Sequence, residues 1–476
     1  MILLTDFPSI VKKYAPSFEK CFSPAGYEYF QKAISGFIMS ENKTIEAINR
    51  LYLFSPRNQS SFNKFFNRQN FDLNQINQVR LSVLQKNEGT KFKGIGRKSG
   101  VLCVDNTLLK HYGEHFDLIY NLKDYVNDCY RMSHDLVTLH YSDDQTDYPV
   151  YYQLWRPPDW DALAYFFKYH GVMINLDKWT KRKQEVKAWN NYMRHRFKDC
   201  WKKYPEVKKI YKSKIHIAED LIESFCRQYP EWDFPIALDG GYTSAYLCSR
   251  IAKEFNKNYV GSLNADQCIF IKGNKKLKLK DFIPRLRVEH FAAKDKNKKV
   301  FKKVSFTYKG ERQTAYAYFA NHRVNGFEHK QRLVISYYRE DLKDKPIFTI
   351  TNQLSWHPSG ILRIRRHRWP VETYHQEGKA VGLEKYQLRN APAIQTHICF
   401  IVVAYSILKC TIHDDELLSS IQQRLLTETD GTLPFLRRLM QAEGLLLLVE
   451  HISTMVQKGH SLNDIFQPLA QAIAYS

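Results

Sequence analysis

The sequence has no uninterrupted run of the roughly 18 apolar residues that a transmembrane helix needs. Its most apolar stretch, residues 398–408, is shorter and predicts a buried helix. The N-terminus also lacks a basic leader followed by a long apolar region and a small-residue cleavage site. The sequence therefore predicts a cytoplasmic protein without a membrane partner.

Cysteines are scarce and never occur as a CxxC pair. There are nine of them, an odd number spread along all 476 residues. Zinc sites and disulfide frameworks use closely and regularly spaced cysteines. The spacing seen here argues against both kinds of site.

Acidic residues are too few to balance the basic ones. Lysine and arginine number 71 and aspartate and glutamate 49, which leaves a net charge of +22. A surplus of this size favours a polyanionic partner such as nucleic acid. Because 44% of the residues are hydrophobic and 14% aromatic, we expect a globular chain of two to four structural units rather than a disordered one.

The residue pattern changes four times along the chain. Residues 1–95 are helix-favouring, and 96–261 alternate between strand and helix patterns. Residues 262–350 are rich in strand patterns, and 351–410 and 411–476 are helical again. Strands alternating with helices predict an α/β fold with a mixed sheet.

The N-terminal segment contains a possible DNA-binding motif. Thr44 is placed to cap a helix, and after the turn at Ser55-Pro56 a second helix spans residues 60–68. Lys64 and Arg68 would face outward on that helix. The pattern fits a helix-turn-helix, and it fits an ordinary helical hairpin equally well.

Two stretches carry most of the positive charge. Residues 178–214 contain 14 lysines and arginines against three acids, with aromatic residues between them. This composition fits either a solvated basic face or a nucleic-acid surface. Residues 272–303, within the β-rich segment, contain 13 cations against three acids.

Two aspartates follow apolar strand patterns. Asp105 ends the predicted strand 101–105, and Asp239 ends the predicted strand 234–239 before Gly240-Gly241 turns the chain into a helix. In α/β proteins, chemistry is concentrated at the carboxyl ends of strands. An aspartate at a strand end also serves as a turn former, so position alone does not distinguish the two roles.

A third carboxylate lies among cations on a predicted helix. Pro370 is placed to open this helix, with Glu372 in its first turn. Arg368, Glu372 and Lys379 lie at i, i+4 and i+11, which keeps them near one helical face. Metal-assisted phosphodiester cleavage uses this combination, because the acid holds a metal and the cations hold phosphates. A salt-bridged surface helix has the same composition.

This segment resembles the signature of the DDE transposases of bacterial insertion sequences, Tyr-x2-Arg-x3-Glu-x6-Lys. Arg368, Glu372 and Lys379 reproduce its last three members without a gap, and residues 368–372 resemble the branch with an RWxxE motif. Arg365 stands where the signature has tyrosine, and an arginine still suits a phosphate contact. The similarity covers roughly residues 30–410, and residues 104–106 and 237–242 resemble the family's two aspartate segments.

The resemblance implies a ribonuclease H-like catalytic core, in two parts at residues 96–261 and 351–410. The parts are separated by a β-rich basic insertion, 262–350, and flanked by a helical DNA-binding domain, 1–95, and a helical C-terminal region, 411–476. Asp105, Asp239 and Glu372 would bind two Mg²⁺ ions, for which Mn²⁺ could substitute.

The resemblance also implies what the enzyme acts on. Arg368, Lys379 and Arg365 would contact double-stranded DNA at transposon terminal inverted repeats, with Lys64 and Arg68 contributing from the N-terminal segment. Target DNA would be the second substrate. A homodimer in the synaptic complex, a nucleoid-associated location in the cytoplasm and cut-and-paste movement are expected on the same ground.

Three other functions fit parts of the same pattern. A ribonuclease H-like nuclease that cuts without joining strands would use the same carboxylates. A non-catalytic DNA-binding protein, including a decayed transposase, would share the charge. RNA binding by aromatic platforms ranks last, because no RNA-binding module is recognisable.

Overall fold

The computed structural model describes residues 3–53, 58–68, 70–94, 99–174, 203–428 and 431–474. Most of the basic stretch 178–214 falls outside the described residues. Part of the predicted turn between the first helices, residues 54–57, also falls outside them.

The strands of the described chain form one mixed sheet with the order β2-β3-β1-β5-β6-β12-β11-β10-β7-β8, with β4 on β3 and β9 on β10. β1 is parallel to β5 and β5 to β6, whereas the other pairings are antiparallel. The predicted α/β class with a mixed sheet is confirmed. The strands are β1 Val101–Lys110, β2 Tyr120–Asp124, β3 Cys129–Ser142, β4 Asp147–Leu154, β5 Ile236–Leu238, β6 Tyr259–Leu263, β7 Cys268–Ile271, β8 Lys275–Lys278, β9 Lys302–Tyr308, β10 Glu311–Val324, β11 Lys330–Tyr337 and β12 Ile347–Thr351.

Helices flank the sheet and dominate both ends of the chain. Several begin at a polar cap, as where the Asn390 side chain accepts the amide N–H of Ala393 at 2.9 Å. They are α1 Ser9–Tyr14, α2 Pro24–Met39, α3 Ile45–Asn49, α4 Gln59–Arg68, α5 Leu73–Lys86, α6 Trp160–Tyr169, α7 Val207–Ile210, α8 Lys214–Gln228, α9 Ala245–Lys253, α10 Leu279–Ala292, α11 Pro358–Arg366, α12 Trp369–Val381, α13 Ala391–Ile412, α14 Asp415–Leu425, α15 Leu433–Gln457 and α16 Leu462–Ala474.

Helix α13 is the centre of the helical core. Its Phe400 ring lies 5.3 Å from Phe30 and 5.5 Å from Phe66, centroid to centroid. The N-terminal helices therefore share a core with α13, which comes more than 300 residues later. Within the residues that the structure describes, two helices, α13 and α15, are long and apolar enough to cross a membrane, and 83% of the apolar window of α13 is buried inside the protein.

Helices α3 and α4 are farther apart in sequence than a helix-turn-helix requires. Helix α3 ends at Asn49 and α4 begins at Gln59. Nine residues lie between these ends, against the three or four of the motif, and 54–57 among them fall outside the described residues. This spacing does not match the helix-turn-helix interpretation, and the ordinary helical hairpin stays a prediction. Lys64 and Arg68 do lie exposed on α4, as predicted.

The β-rich segment 262–350 extends the central sheet. Strand β12 pairs antiparallel with β6, and β11 and β10 follow beyond it. The predicted insertion is thus continuous in hydrogen bonding with strands β1 and β5. This continuity fixes the orientation of the segment relative to the strands that carry the aspartates.

Candidate active site

Asp105 and Asp239 follow the last paired residues of two neighbouring parallel strands. The register pairs Val104 of β1 with Leu238 of β5, so Asp105 comes next on β1 and Asp239 comes directly after the end of β5, one residue beyond the strand that the sequence predicted to include it. The prediction that Asp105 ends its strand is wrong, because β1 runs on to Lys110. The antiparallel partner β3 still supplies hydrogen-bonding partners there, whereas β5 stops at Leu238.

The turn after β5 holds the Asp239 carboxylate in place. Its Oδ1 accepts the amide N–H groups of Gly241 and Tyr242, each at 2.9 Å. The Asp239 carbonyl accepts the Thr243 hydroxyl at 2.6 Å. Asp239 is thus a turn former at the start of α9, and its side chain remains at the edge of the sheet.

Glu372 is linked to Asp105 through Arg368. As predicted, Pro370 lies at the start of α12 and Glu372 in its first turn. The Arg368 guanidinium bonds Glu372 Oε1 through Nη2, and its Nη1 lies 3.4 Å from Asp105 Oδ2. Arg368 therefore joins two of the three predicted carboxylates.

The site concentrates negative charge in a shielded place. Burial raises the pKa of the Asp105 carboxyl to about 7, and the neighbouring charges of Asp239 and, more weakly, Glu372 act in the same direction. Arg368 opposes this rise in the pKa. A cation near the three carboxylates would offset their repulsion.

The carboxylates do not converge to coordination distance in this arrangement. Across the described ranges, no group of three histidine, cysteine, aspartate or glutamate side chains is close enough to hold a metal ion. The guanidinium of Arg368 lies between Asp105 and Glu372 instead. The donor chemistry nevertheless fits a hard divalent cation, because all three groups offer carboxylate oxygens.

Lys379 and Arg365 occupy different surroundings. Lys379 Nζ donates to the Leu108 carbonyl at 2.7 Å and lies 3.3 Å from Glu384, which keeps it beside β1. Arg365 is half-buried, and its burial lowers the pKa of its guanidinium, which lies near Tyr338. The structure brings Arg368 and Lys379 towards β1, while Lys64 and Arg68 lie on α4, which packs against α2, α3 and α13.

A polar network links the two aspartate segments. Asp135 on β3 is 1% exposed and accepts Asn106 Nδ2 at 2.7 Å and Lys214 Nζ at 2.8 Å. Asn106 in turn accepts the Tyr242 hydroxyl at 3.1 Å. The sequence did not single out Lys214, which was one of 14 cations in the basic stretch 178–214.

A groove opens beside Asp239, between the turn after β5 and the β2–β3 hairpin. Its volume is about 1020 Å³. We call it the hairpin groove. Its lining includes Asp239, Asn106, Lys214, Lys379, Tyr125 and Tyr130. A strand of substrate held near Asp239 would have room to continue into it.

Residues 211–407 match a transposase DDE domain. The matched range contains Asp239, Arg368, Glu372 and Lys379, and it begins after Asp105. The transposase DDE domain match supports the prediction of a DDE transposase, an enzyme type that cleaves and joins DNA strands. It covers the later two carboxylates and both cations of the signature.

Comparison with solved structures gives a similarity to a piggyBac transposase synaptic complex with hairpin DNA. The TM-score is 0.43 and the sequence identity 9%, over 98% of this chain and 81% of the other. No curated protein sequence matches the chain. The transposase DDE domain match is therefore the comparison on which the function can be argued.

Proposed function

We propose that the chain is a DNA transposase of the ribonuclease H-like DDE type, from the insertion-sequence branch with the RWxxE motif. It would cleave DNA at transposon ends and join the freed 3′ ends to target DNA, moving the element by cut and paste. One observation carries the proposal. Asp105 and Asp239 each follow the last paired residue, Val104 or Leu238, of the adjacent parallel strands β1 and β5, and Arg368 links Asp105 to Glu372.

Asp105, Asp239 and Glu372 are the residues that would hold two Mg²⁺ ions, or Mn²⁺ in their place. Bound ions of this kind activate the attacking oxygen and stabilise the leaving one in phosphoryl transfer. The turn after β5 orients Asp239 through its bonds to Gly241 and Tyr242. Helix α12 presents Glu372 from its first turn, so both side chains are set by backbone elements.

Arg368 has two possible partners in this proposal. It is paired with carboxylates in the protein alone, and its planar guanidinium also suits a phosphate group. Lys379 would hold a second phosphate from its place beside β1. With DNA and metal bound, Arg368 would exchange a carboxylate for a phosphate of the terminal inverted repeat.

The partners and location in the cell belong to the same proposal. Double-stranded DNA would be bound at the terminal inverted repeats and at the target, by a homodimer in the synaptic complex. We propose a nucleoid-associated location in the cytoplasm, where the DNA substrate would be found. Short inverted repeats in the DNA flanking the coding region would be the element ends used in the assay. A target duplication outside them would mark the site of insertion.

The test incubates purified protein with Mg²⁺, labelled element ends and a target plasmid. We expect nicked ends and joined products, both abolished by chelation of the metal. Nicks without joined products would identify a nuclease instead. Binding without either product would identify a non-catalytic DNA-binding protein.

Asp239→Asn supplies the test of the site itself. The amide keeps the turn-forming oxygen but removes the charge, so we expect cleavage to fall by about three orders of magnitude, roughly 4 kcal/mol of transition-state stabilisation. Asp233→Asn is the matched control, because Asp233 is exposed and only approaches Lys257, at 3.4 Å. Unchanged cleavage by Asp239→Asn would refute the assignment of the metal site.

A further inference from the structure

One side of the hairpin groove presents aromatic rings to solvent. Tyr125 is 70% exposed and Tyr130 51% exposed, and both line the groove. The ammonium group of Lys123 lies 5.5 Å from the centre of the Tyr125 ring. Exposed rings lining a concave site are suited to stacking against a flat ligand.

The hairpin that carries these rings is held in a defined position. Asp124 Oδ1 accepts the amide N–H of Val126 at 3.0 Å, which forms the turn between β2 and β3. Asp124 Oδ2 also lies 2.7 Å from Lys110, at the end of β1. The backbone that carries Tyr125 and Tyr130 is therefore tied to the strand that carries Asp105.

At the Asp239 end, the groove presents a cation held by a buried acid. Lys214 is 39% exposed in its side chain, so it is accessible, while Asp135 fixes its ammonium group at 2.8 Å. The same carboxylate holds Asn106, whose amide also lines the groove. A phosphate near Asp239 would thus meet a positioned ammonium group.

The charge of the groove is close to balanced. Lys110, Lys123, Lys214 and Lys379 line it with Asp124, Asp135 and Asp239, a net of one positive charge. Duplex DNA presents phosphates on two strands and favours strongly basic surfaces. The exposed rings suit the bases of a short single strand, and the small positive net charge suits a strand with few phosphates.

The size of the groove supports the same choice. Small-molecule sites span about 300–1,000 Å³, so a volume of about 1020 Å³ accommodates a few nucleotides. A duplex is far too large for it, since its major groove alone is about 12 Å wide. The groove therefore fits unpaired nucleotides rather than a paired end.

We propose that the hairpin groove binds a short unpaired stretch of DNA, with its bases on Tyr125 and Tyr130 and a phosphate on Lys214. This inference rests on the proposed function, because the unpaired stretch would be part of the DNA strand that is cleaved beside Asp239. The strand would leave the duplex before the scissile phosphate and enter the groove. The enzyme would then favour ends that are already unpaired.

The test measures binding of a labelled thymidine oligonucleotide of about six nucleotides, by fluorescence anisotropy without metal. We expect the double variant Tyr125→Ala, Tyr130→Ala to bind at least ~10-fold more weakly, because removing each stacked ring weakens binding by about 5-fold or more. The matched control is Tyr165→Ala, Tyr169→Ala on α6, whose rings are 73% and 76% exposed. This control should bind as the wild type does.

Lys214 is tested separately through the salt dependence of the same binding. Removing one phosphate interaction should reduce the slope of log K against log salt by about 0.7 for a single strand. We expect this reduction for Lys214→Gln and recovery of the slope for Lys214→Arg. A thermal unfolding curve for each variant confirms that it is folded.

Two results would overturn the inference. The first is unchanged oligonucleotide binding by the double tyrosine variant. The second is an equal loss of affinity for a blunt duplex, which would place the rings on a duplex-binding surface. The binding assay contains no metal, so its outcome is independent of cleavage. Normal cleavage without oligonucleotide binding would refute the single-strand binding site alone. Oligonucleotide binding without cleavage would refute the transposase proposal alone.

Discussion

Arg368 competes with any metal ion for the same carboxylates. Its side chain is 17% exposed and lies between Asp105 and Glu372, so it neutralises charge that a divalent ion would otherwise neutralise. Ion pairs in such a shielded place are stronger than those at an open surface. Metal affinity in the protein alone should therefore be limited by the cost of displacing the guanidinium.

Glu372→Gln tests the role of the Glu372 charge, because it replaces one carboxylate oxygen with an amide nitrogen. The amide retains a hydrogen-bond acceptor for Arg368 but loses the charge, so we expect cleavage to fall about 1,000-fold, roughly 4 kcal/mol. The rate of cleavage of labelled element ends measures it. Glu377→Gln, on the same helix, is the control, because an amide still accepts the Tyr405 hydroxyl that Glu377 accepts at 2.9 Å. Comparable losses in both variants would argue against a specific role for Glu372.

The residues of the site differed in how far the sequence predicted them. The position of Glu372 in the first turn of α12 was predicted correctly from Pro370. The helical repeat of 3.6 residues also predicted that Arg368, four residues earlier, lies on the same side as Glu372. The sequence predicts the end of β1 at Asp105, but the strand continues to Lys110. It continues because residues 106–110 pair with residues 133–137 of β3, which come later in the chain. Lys214 owes its position to Asp135, and no local pattern encodes an ion pair across 79 residues.

At the scale of elements, a buried ion cluster ties the start of β4 to α13 and to the β9–β10 turn. Asp147 lies 3.4 Å from Lys409 and 3.5 Å from Lys309 and His140. Burial alone would raise the pKa of Asp147, but Lys409, His140 and Lys309 hold it well below its usual range. The cluster therefore stabilises the fold only while Asp147 is charged.

Replacing Asp147 with asparagine should lower the free energy of unfolding at pH 7 by about 3 kcal/mol, because Lys409 is left without its buried partner. The folded-state pKa is depressed, so the contribution is fully present above the unfolded pKa of about 4 and is lost progressively as the pH falls from there through the folded-state pKa, which leaves it partly lost at pH 3. Urea unfolding at pH 7 and pH 3 measures both. A difference between wild type and variant that does not shrink at pH 3 would contradict the linkage.

Gly261 on β6 allows the turn after β5 to approach closely. A Cβ at this position would lie 2.6 Å from the Thr243 side chain, whose hydroxyl holds the Asp239 carbonyl. We expect Gly261→Ala to cost about 1–3 kcal/mol of stability through this overlap and to slow cleavage by displacing Asp239. Gly360→Ala is the control, since a Cβ on that α11 residue meets nothing within 4 Å. Thermal unfolding and the cleavage assay compare the two.

Elements were predicted best where the pattern was local. The strand before Asp239 and the helix carrying Glu372 were both expected from apolar periodicity and proline position. The continuity of β12 with β6 was not, because hydrogen bonding between strands 84 residues apart leaves no local pattern. The spacing of α3 and α4 was not predicted either, because a polar segment with a proline turn does not fix where the first helix ends.

For the whole molecule, charge is the property that relates most directly to DNA. Residues 272–303 carry 13 cations against three acids, and Lys275, Lys276 and Lys278 are exposed on or beside the edge strand β8. Such a surface would act on DNA of any sequence through its phosphates. Lysines on an edge strand also prevent pairing with other strands, so DNA binding needs a direct test.

Changing these three lysines to glutamine should reduce the salt slope of duplex binding by up to about 2.7, at about 0.9 for each phosphate that is no longer neutralised. Anisotropy of a labelled duplex at several salt concentrations measures the slope. The control replaces Lys20 and Lys458, which are exposed on other elements. An unchanged slope would leave protection of the sheet edge as the role of the β8 lysines.

The packing of Phe30 and Phe66 against Phe400 also constrains how the chain acquires its structure during synthesis. Until α13 has left the ribosome, Phe30 and Phe66 lack their contacts with Phe400, and β1 lacks its contacts with α12 until that helix has been synthesised. Contacts this distant in sequence form slowly and leave apolar surface exposed meanwhile. A fragment ending near residue 95 should therefore aggregate when expressed alone, and an incomplete nascent chain should have no cutting activity near the DNA that encodes it.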